Sequence, residues 1–237
     1  VFATFWKQFG PVCAADVPAS FPPLLAQSKG VILDVGPGTG EQVHRFSHPE
    51  NITAIYGVEP GVSMHDKLRE AAARAGLGGK YHVLGSTADL DSIVPQLLKA
   101  GLINTTTTTT TTQGAATGKE LQLFDEIACV RVLCGVPDQR ASVADLYTLL
   151  KPGGRIVVFE HVLNTTHLVA RLAQRLYMLL GWKQLMGGCD LERNTMETFL
   201  QVAREKDGGF AKVDVGLVSQ YSPTVHVVGV LTKKGKK

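Results

Sequence analysis

The chain has 237 residues, enough for one domain with a sizeable core. With 44% hydrophobic and 19% charged residues it is composed like a globular protein, which excludes disorder over most of its length. The net charge is only +3, much of it in the terminal Lys233-Lys234-Gly235-Lys236-Lys237, so no basic face is evident and a nucleic-acid partner is excluded.

In chain order, Phe2, Phe5, Trp6 and Phe9 recur at the spacing of one helix face. Packing on the domain is the default for such a face. A lid over a pocket or a helix lying on a membrane surface are the sharper alternatives, and residues 1–29 are assigned to this segment. Val31 to Val35 is a continuous apolar run, as expected of a strand buried on both faces. A helix is expected from Glu41 to Phe46, a second strand over Ile52 to Val58, and a helix from Ser63 to Ala75 stopped by Gly76. A third strand follows at Tyr81 to Leu84 and a helix at Asp91 to Leu102.

Thr105 to Thr112 is a run of eight threonines with no face worth burying, so residues 104–119 read as a low-complexity surface insertion. Beyond it, Leu121 to Leu133 contains a fourth strand and Ala141 to Leu150 is helical. Pro152-Gly153-Gly154 marks a turn before a fifth strand, Arg155 to Phe159. Thr166 to Leu180 carries a leucine stripe expected to pack, and Met196 to Glu205 is a further helix. Two last strands, Val213 to Val218 and Val225 to Leu231, can pair as a hairpin. Strands alternating with helices predict an α/β fold with a parallel sheet covered on both faces, whose ligands bind beyond the carboxyl ends of the strands.

The first such end is Asp34-Val35-Gly36-Pro37-Gly38-Thr39-Gly40. No lysine follows its glycines, which removes a nucleotide-triphosphate loop. Read as a dinucleotide loop, its third glycine position is Glu41, an acid that would repel a pyrophosphate. S-adenosylmethionine carries no phosphate. Glycines let the backbone approach its zwitterionic end, and Asp34 can orient its ammonium. Glu59 ends the second strand, 25 residues after Asp34, and can accept both hydroxyls of a ribose. An NAD enzyme would place an acid there too, so Glu59 alone does not discriminate.

The cysteines Cys13, Cys129, Cys134 and Cys189 form no C-x-x-C pair and no zinc-spaced Cys/His pattern, so no metal is expected. They read as reduced thiols of an intracellular chain. No run of about 18 apolar residues is present, so no spanning helix is expected, and the predicted location is cytoplasmic. The chain opens on Val1, which leaves room for an upstream membrane anchor.

Taken together, Asp34 to Gly40, Val58-Glu59-Pro60, Phe124-Asp125-Glu126-Ile127 and Leu149 to Ile156 resemble, in order and spacing, the motifs of class I S-adenosylmethionine-dependent methyltransferases. The resemblance covers about Gly30 to Glu160. It implies a single domain with a seven-stranded Rossmann-like sheet, the last strand antiparallel. It implies S-adenosyl-L-methionine as cofactor and S-adenosyl-L-homocysteine as product. Gly36, Pro37, Gly38, Gly40 and Pro60 would contact that cofactor, with Met64 near the ribose or adenine. Adenine contacts are implied for Thr87, Ala88, Asp89, Val130 and Arg131.

The chain lacks the Asn/Asp-Pro-Pro-Tyr/Phe of adenine and glutamine methyltransferases and the Pro-Cys of cytosine-C5 enzymes. A small-molecule acceptor is therefore favoured. Val132 to Val136, Glu160-His161-Val162, Gly188 to Arg193, and His226 with Gly229 are similar to the microsomal thiol methyltransferases, the methyltransferase-like protein 7 group. That group has Leu-Thr-Arg where this chain has Leu191-Glu192-Arg193, and it carries an amino-terminal hydrophobic anchor missing here. The resemblance implies S-methylation of a thiol, with a surface membrane association through an upstream segment. O- or N-methylation in a natural-product or lipid pathway, and a regulatory protein that binds the cofactor without catalysis, remain the alternatives.

A thiol ionises near neutrality and needs little help from a base, whereas a phenol or alcohol needs a His or a metal. His161, just after the fifth strand, is the candidate base or thiolate-orienting group, with a structural hydrogen-bonded role as its rival reading. Trp182, Cys189 and Tyr177 are candidate pocket walls, on a helical cap over the acceptor site spanning 164–200. Cys134 reads as core, and His226 as a weaker pocket candidate. The oligomeric state has no signature in the sequence.

Overall fold

The computed structural model describes residues 14–103 and 121–235, together with Trp6 and Gly10. The threonine insertion and most of the amino-terminal aromatic face lie outside the described residues.

Seven strands form one sheet: β1 (Gly30–Val35), β2 (Ile52–Val58), β3 (Tyr81–Leu84), β4 (Phe124–Val130), β5 (Leu150–His161), β6 (Lys212–Val218) and β7 (His226–Thr232). Their order across the sheet is β3-β2-β1-β4-β5-β7-β6. Neighbours pair in parallel up to β5, and β7 runs antiparallel to both β5 and β6. The order reverses between β1 and β4, which opens a crevice at their carboxyl ends.

The continuous apolar runs are explained by burial on both faces. Leu33 and Val35 of β1, Ile127 and Cys129 of β4, and Ile156 and Val158 of β5 pack into one apolar layer. Ile32, Ala128, Val157 and Phe159, the alternating residues, pack into the opposite layer with Phe21, Leu25, Phe46 and Leu68. The helices that supply these layers include α1 (Pro22–Ala26), α2 (His65–Arg74), α3 (Leu90–Lys99) and α4 (Gln139–Leu149). After β5 come α5 (Leu168–Leu179), the short α6 (Trp182–Leu185) and α7 (Thr195–Asp207).

Three expectations are corrected. Glu41 to Phe46 is not an α-helix, and a single 3-10 turn, Val43–Arg45, stands there. Gly40 before it is left-handed (φ +88°), and Pro49 opens a second 3-10 turn, Pro49–Asn51, after it. Pro152-Gly153-Gly154 does not precede the fifth strand; it lies within β5, where the pairing with β4 shifts register between Phe124 and Glu126. The leucine stripe of α5 does not pack: Leu168, Leu172, Leu176 and Leu179 are 71, 55, 52 and 84% exposed. Periodicity identifies an apolar side, but among the described residues nothing covers it.

Two buried polar clusters tie the sheet to its surroundings. Arg155 Nε donates to Glu126 Oε2 at 2.6 Å, and Ser28 Oγ donates to the other oxygen at 2.5 Å. Burial pushes the Glu126 carboxyl up, and the Arg155 guanidinium and Ser28 hydroxyl counter it. At the other cluster Tyr81 Oη donates to Asp34 Oδ2 at 2.7 Å across two strands.

Candidate active site

The carboxyl ends of β1, β2 and β4 are level, because Val35 pairs with both Val58 and Cys129. The residues that follow each strand therefore converge. Gly36 and Gly38 both take left-handed backbone, with φ +61° and +62°. At Gly38 a Cβ would stand 2.5 Å from Trp6 Nε1, so both the conformation and the close approach require glycine. Gly40 serves a different purpose: a Cβ there would meet Ala71 Cβ at 2.7 Å, so its bareness lets the loop lie on α2.

Glu59, the residue after β2, clamps the loop. Its Oε2 accepts the Gly38 amide at 3.0 Å and its Oε1 accepts the Gly61 amide at 2.7 Å. Burial raises its carboxyl, and the two amides act against burial. Each carboxylate oxygen has two acceptor positions, so one on each oxygen stays available to a ligand hydroxyl. The fixed acceptor pair suits the neighbouring hydroxyls of a ribose.

These residues border a cavity of about 590 Å³. Gly36, Gly38, Glu59, Pro60, Met64 and Thr87 line one end, Val130 and Arg131 its middle. Cys134, His161, Trp182, Met186, Cys189 and His226 line the other. Asp34 and Pro37 border a small adjoining cavity of about 40 Å³ with Trp6, Gly36, Val130 and Arg131. Burial pushes the Asp34 carboxyl up to about 6, against the Tyr81 hydrogen bond, with Glu126 and Glu59 raising it further. Arg131 has φ +54°, places its guanidinium 4.5 Å from the Phe159 ring centre, and donates to the Asp16 carbonyl at 2.5 Å.

Four more candidate residues border neither of these two cavities. Ala88 is buried in the apolar layer with Ile93 and Val94. Asp89 precedes α3 and accepts the Ser142 hydroxyl at 3.0 Å, so it is spent on joining α3 to α4. Gly40 faces α2. Tyr177 is not a pocket wall; it stacks behind Trp182, with ring centres 5.6 Å apart and planes 20° from parallel. The indole then separates the phenol from the cavity.

The far end of the cavity holds an arrangement that spacing along the chain did not reveal. Cys134 comes from the loop after β4, His161 from the end of β5, and Cys189 from the loop after α6. Cys134 Sγ lies 3.8 Å and Cys189 Sγ 3.6 Å from His161 Nδ1. Cys134, read as core, is buried in a small apolar cluster with Cys189 and Leu191, and both cysteines also line the cavity. Cys189 is held below the usual thiol range, chiefly by the hydrogen bond with Cys134, with His161 and Trp182 adding to it and burial opposing it. Cys134 is pushed up correspondingly.

β7 delivers His226 beside His161, its paired residue in the sheet, with ring centres 4.1 Å apart. Burial, then His161 and Arg131, push His226 down to about 2, so it is neutral at physiological pH. Its Nε2 is buried without a hydrogen-bond partner among the described residues. Glu160 supports this end from beneath: its Oε1 accepts the Val132 and Leu133 amides at 2.9 and 3.0 Å and so fixes the loop that carries Cys134. Burial pushes Glu160 up to about 7, and those amides lower it.

A family model described as a methyltransferase domain matches residues 5–195. The chain belongs to this methyltransferase domain family. Membership of a methyltransferase family points to S-adenosyl-L-methionine as the cofactor. The site fits that cofactor: Glu59 keeps paired acceptors for a ribose, and the left-handed glycines bare the backbone at the cavity edge.

Among curated proteins the methyltransferase is similar to thiol S-methyltransferase TMT1B of Rattus norvegicus, 37% identical over 72 residues. That match takes in 30% of this chain and 29% of the rat protein, so less than a third of the relative's length is represented. Among solved structures, an O-methyltransferase family protein from Burkholderia thailandensis has a TM-score of 0.57 at 14% identity. The alignment covers 100% of this chain and 58% of that one. An O-methyltransferase family 2 protein from Planctomyces limnophilus, in complex with apigenin, has a TM-score of 0.59 at 17% identity, covering 95% and 61%. Similarity at these identities establishes the shared fold.

Proposed function

We propose that the methyltransferase moves a methyl group from S-adenosyl-L-methionine to the sulfur of a small, largely apolar thiol. The observation that carries the reading is the continuity of one cavity from Glu59 to the Cys134, His161 and Cys189 cluster. The partial likeness to a thiol S-methyltransferase supports sulfur as the acceptor atom.

When bound, the cofactor supplies an electrophilic methyl on a cationic sulfur. The chain's own residues do the rest. Glu59 fixes the sugar, the glycine loop and Asp34 receive the amino-acid end, and Met64 and Thr87 flank the nucleoside. Buried carboxylates around the cavity favour a ligand that carries positive charge. The segment 164–200 serves as the cap of the acceptor end, to which it contributes Trp182, Met186 and Cys189 as lining. His161 orients the acceptor, and the unpartnered Nε2 of neutral His226 offers it a hydrogen bond. Alignment of nucleophile and methyl in a dry cavity is the main catalytic contribution such an enzyme makes.

We also propose that the exposed face of α5 and α6 rests on an anionic lipid surface. Leu168, Val169, Leu179, Leu180 and Leu185 are each at least 70% exposed. Arg171 stands exposed on the same two helices, as do Arg175 and Lys183, which pair with Glu192 and Asp190. α6 also supplies Trp182 to the cavity, so an apolar acceptor dissolved in lipid would arrive close to it.

The deciding experiment supplies labelled cofactor with alkyl thiols, phenols and amines in parallel and identifies the methylated products. Methylation confined to thiols is the expected result. Product from phenols or amines alone would move the enzyme to the O- or N-methylating branch, and cofactor binding without any product would make it a regulator.

A further inference from the structure

We infer that Cys134, His161 and Cys189 form a binding site for a zinc-like divalent ion, with its fourth position open to the cavity for the acceptor thiol. This inference rests on the thiol reading for its last element and on geometry for the rest.

The three ligand atoms, two Sγ and Nδ1, lie within 4.8 Å of one another. The two sulfur-to-nitrogen distances are 3.8 and 3.6 Å. A tetrahedral zinc with Zn–S of about 2.3 Å and Zn–N of about 2.0–2.1 Å places such ligand pairs roughly 3.6 Å apart. Both sulfur-to-nitrogen edges therefore match those of a tetrahedral site before any ion enters. Two thiolates and an imidazole are also the donor set that selects zinc over hard cations such as magnesium or calcium. All three residues line the 590 Å³ cavity. Three protein ligands facing a ligand-sized space match a catalytic zinc site, in which the fourth position takes water or substrate.

The elements that carry the ligands are held firmly. His161 ends β5, inside the sheet. Glu160 pins the backbone at Val132 and Leu133, just before Cys134. The Asp190 amide donates to the Cys134 carbonyl at 2.9 Å, which ties the two cysteine loops together. The site is thus largely formed in advance, which lowers the ordering cost of binding.

The chemistry balances. A thiol that binds the ion gives up its proton to solvent and becomes a metal-bound thiolate. A sulfur lone pair of that thiolate then forms the new S–CH3 bond. The electrons of the broken bond stay on the cofactor sulfur, turning the sulfonium into a neutral thioether. The methylated product is a neutral thioether, a weaker ligand than a thiolate, and leaves the ion free for another thiol.

The test uses the reduced, full chain. X-ray absorption at the zinc edge of wild-type protein should show two sulfurs at about 2.3 Å and nitrogen or oxygen at about 2.0–2.1 Å. Replacing zinc by cobalt should give sulfur-to-cobalt charge-transfer bands, and adding 2-mercaptoethanol should intensify them as a third sulfur binds. C134S and C189S should each weaken cobalt binding by more than about 100-fold, beyond the cost of losing an outer-sphere partner. Stripping the metal should lower thiol methylation at least tenfold, roughly the smallest loss expected from a disrupted metal site, with recovery on adding zinc. Titration with S-adenosylhomocysteine, followed by calorimetry, monitors the cofactor half of the cavity independently and shows that stripped and variant proteins remain folded. A reduced protein that binds the nucleoside but gives no sulfur-ligated metal spectrum overturns the inference. So does a stripped protein that methylates thiols at an unchanged rate, which leaves the thiol reading standing. A sulfur-ligated metal whose spectrum ignores added thiol overturns the acceptor role.

Discussion

Glu59 holds the amide of Gly38 at 3.0 Å, joining the end of the second strand to the glycine loop after the first. One carboxylate thus shapes the loop and presents acceptors to the cavity. Glu59→Ala removes both contributions and should weaken S-adenosylhomocysteine binding by about 1–3 kcal/mol, roughly a fivefold to 150-fold rise in Kd. Calorimetry reads it directly, and an unchanged Kd would remove Glu59 from the site.

Asp34 gives a pH signature. Its folded pKa of about 6 lies above the ordinary 3.8, so the folded chain holds this proton more readily than the unfolded one. The stability it contributes is full below about pH 4 and is lost as pH rises through 6. Asp34→Asn should flatten that part of the stability profile. Without cofactor at pH 7 it should stabilise the protein by up to about 3 kcal/mol, the equivalent of two pKa units. Urea unfolding from pH 4 to 7.5 measures this, and parallel wild-type and variant curves would refute it.

Arg155 neutralises a Glu126 whose side chain is only 1% exposed. Arg155→Met strands that carboxylate and should cost about 3–5 kcal/mol at pH 7. Adding Glu126→Gln should recover most of the loss. A single variant within about 1 kcal/mol of wild type, the ordinary range for an exposed pair, would show the pair to be inconsequential.

At the acceptor end His161→Ala should lower kcat with thiol acceptors by about tenfold or more while leaving S-adenosylhomocysteine affinity nearly unchanged. A fall in nucleoside affinity alone, with kcat intact, would confine His161 to a structural part.

Leu168→Glu combined with Leu179→Glu should abolish sedimentation with vesicles containing phosphatidylserine and leave solution activity toward a water-soluble thiol intact. Each Glu replaces apolar contact with a charge that the anionic surface repels. Wild-type protein that stays in the supernatant would discard the lipid-surface reading.

The parts of this molecule that were readable in sequence are those decided by near neighbours. Ile52–Val58 and Tyr81–Leu84 agree with the expected strands to the residue, because their short length and their β-branched and aromatic content decide for strand over helix. The glycine loop and Glu59 were readable since their chemistry is local to strand ends. The Cys134, His161 and Cys189 cluster was not: its members are 27 and 28 residues apart, and only the sheet brings them together. Ala88 and Asp89 were assigned by position in a motif, yet their side chains are taken up by the core and by Ser142. The α5 leucines show the converse problem, since a repeat of 3.6 residues cannot say whether protein or something else will cover it.

β7 runs against its neighbours, so its first residue, His226, comes to rest at the same edge as the last residue of β5. The acceptor wall is thus completed by the last strand of the sheet, whereas Gly36, Gly38 and Glu59 follow its first two, so the two halves of the cavity are drawn from opposite ends of the chain.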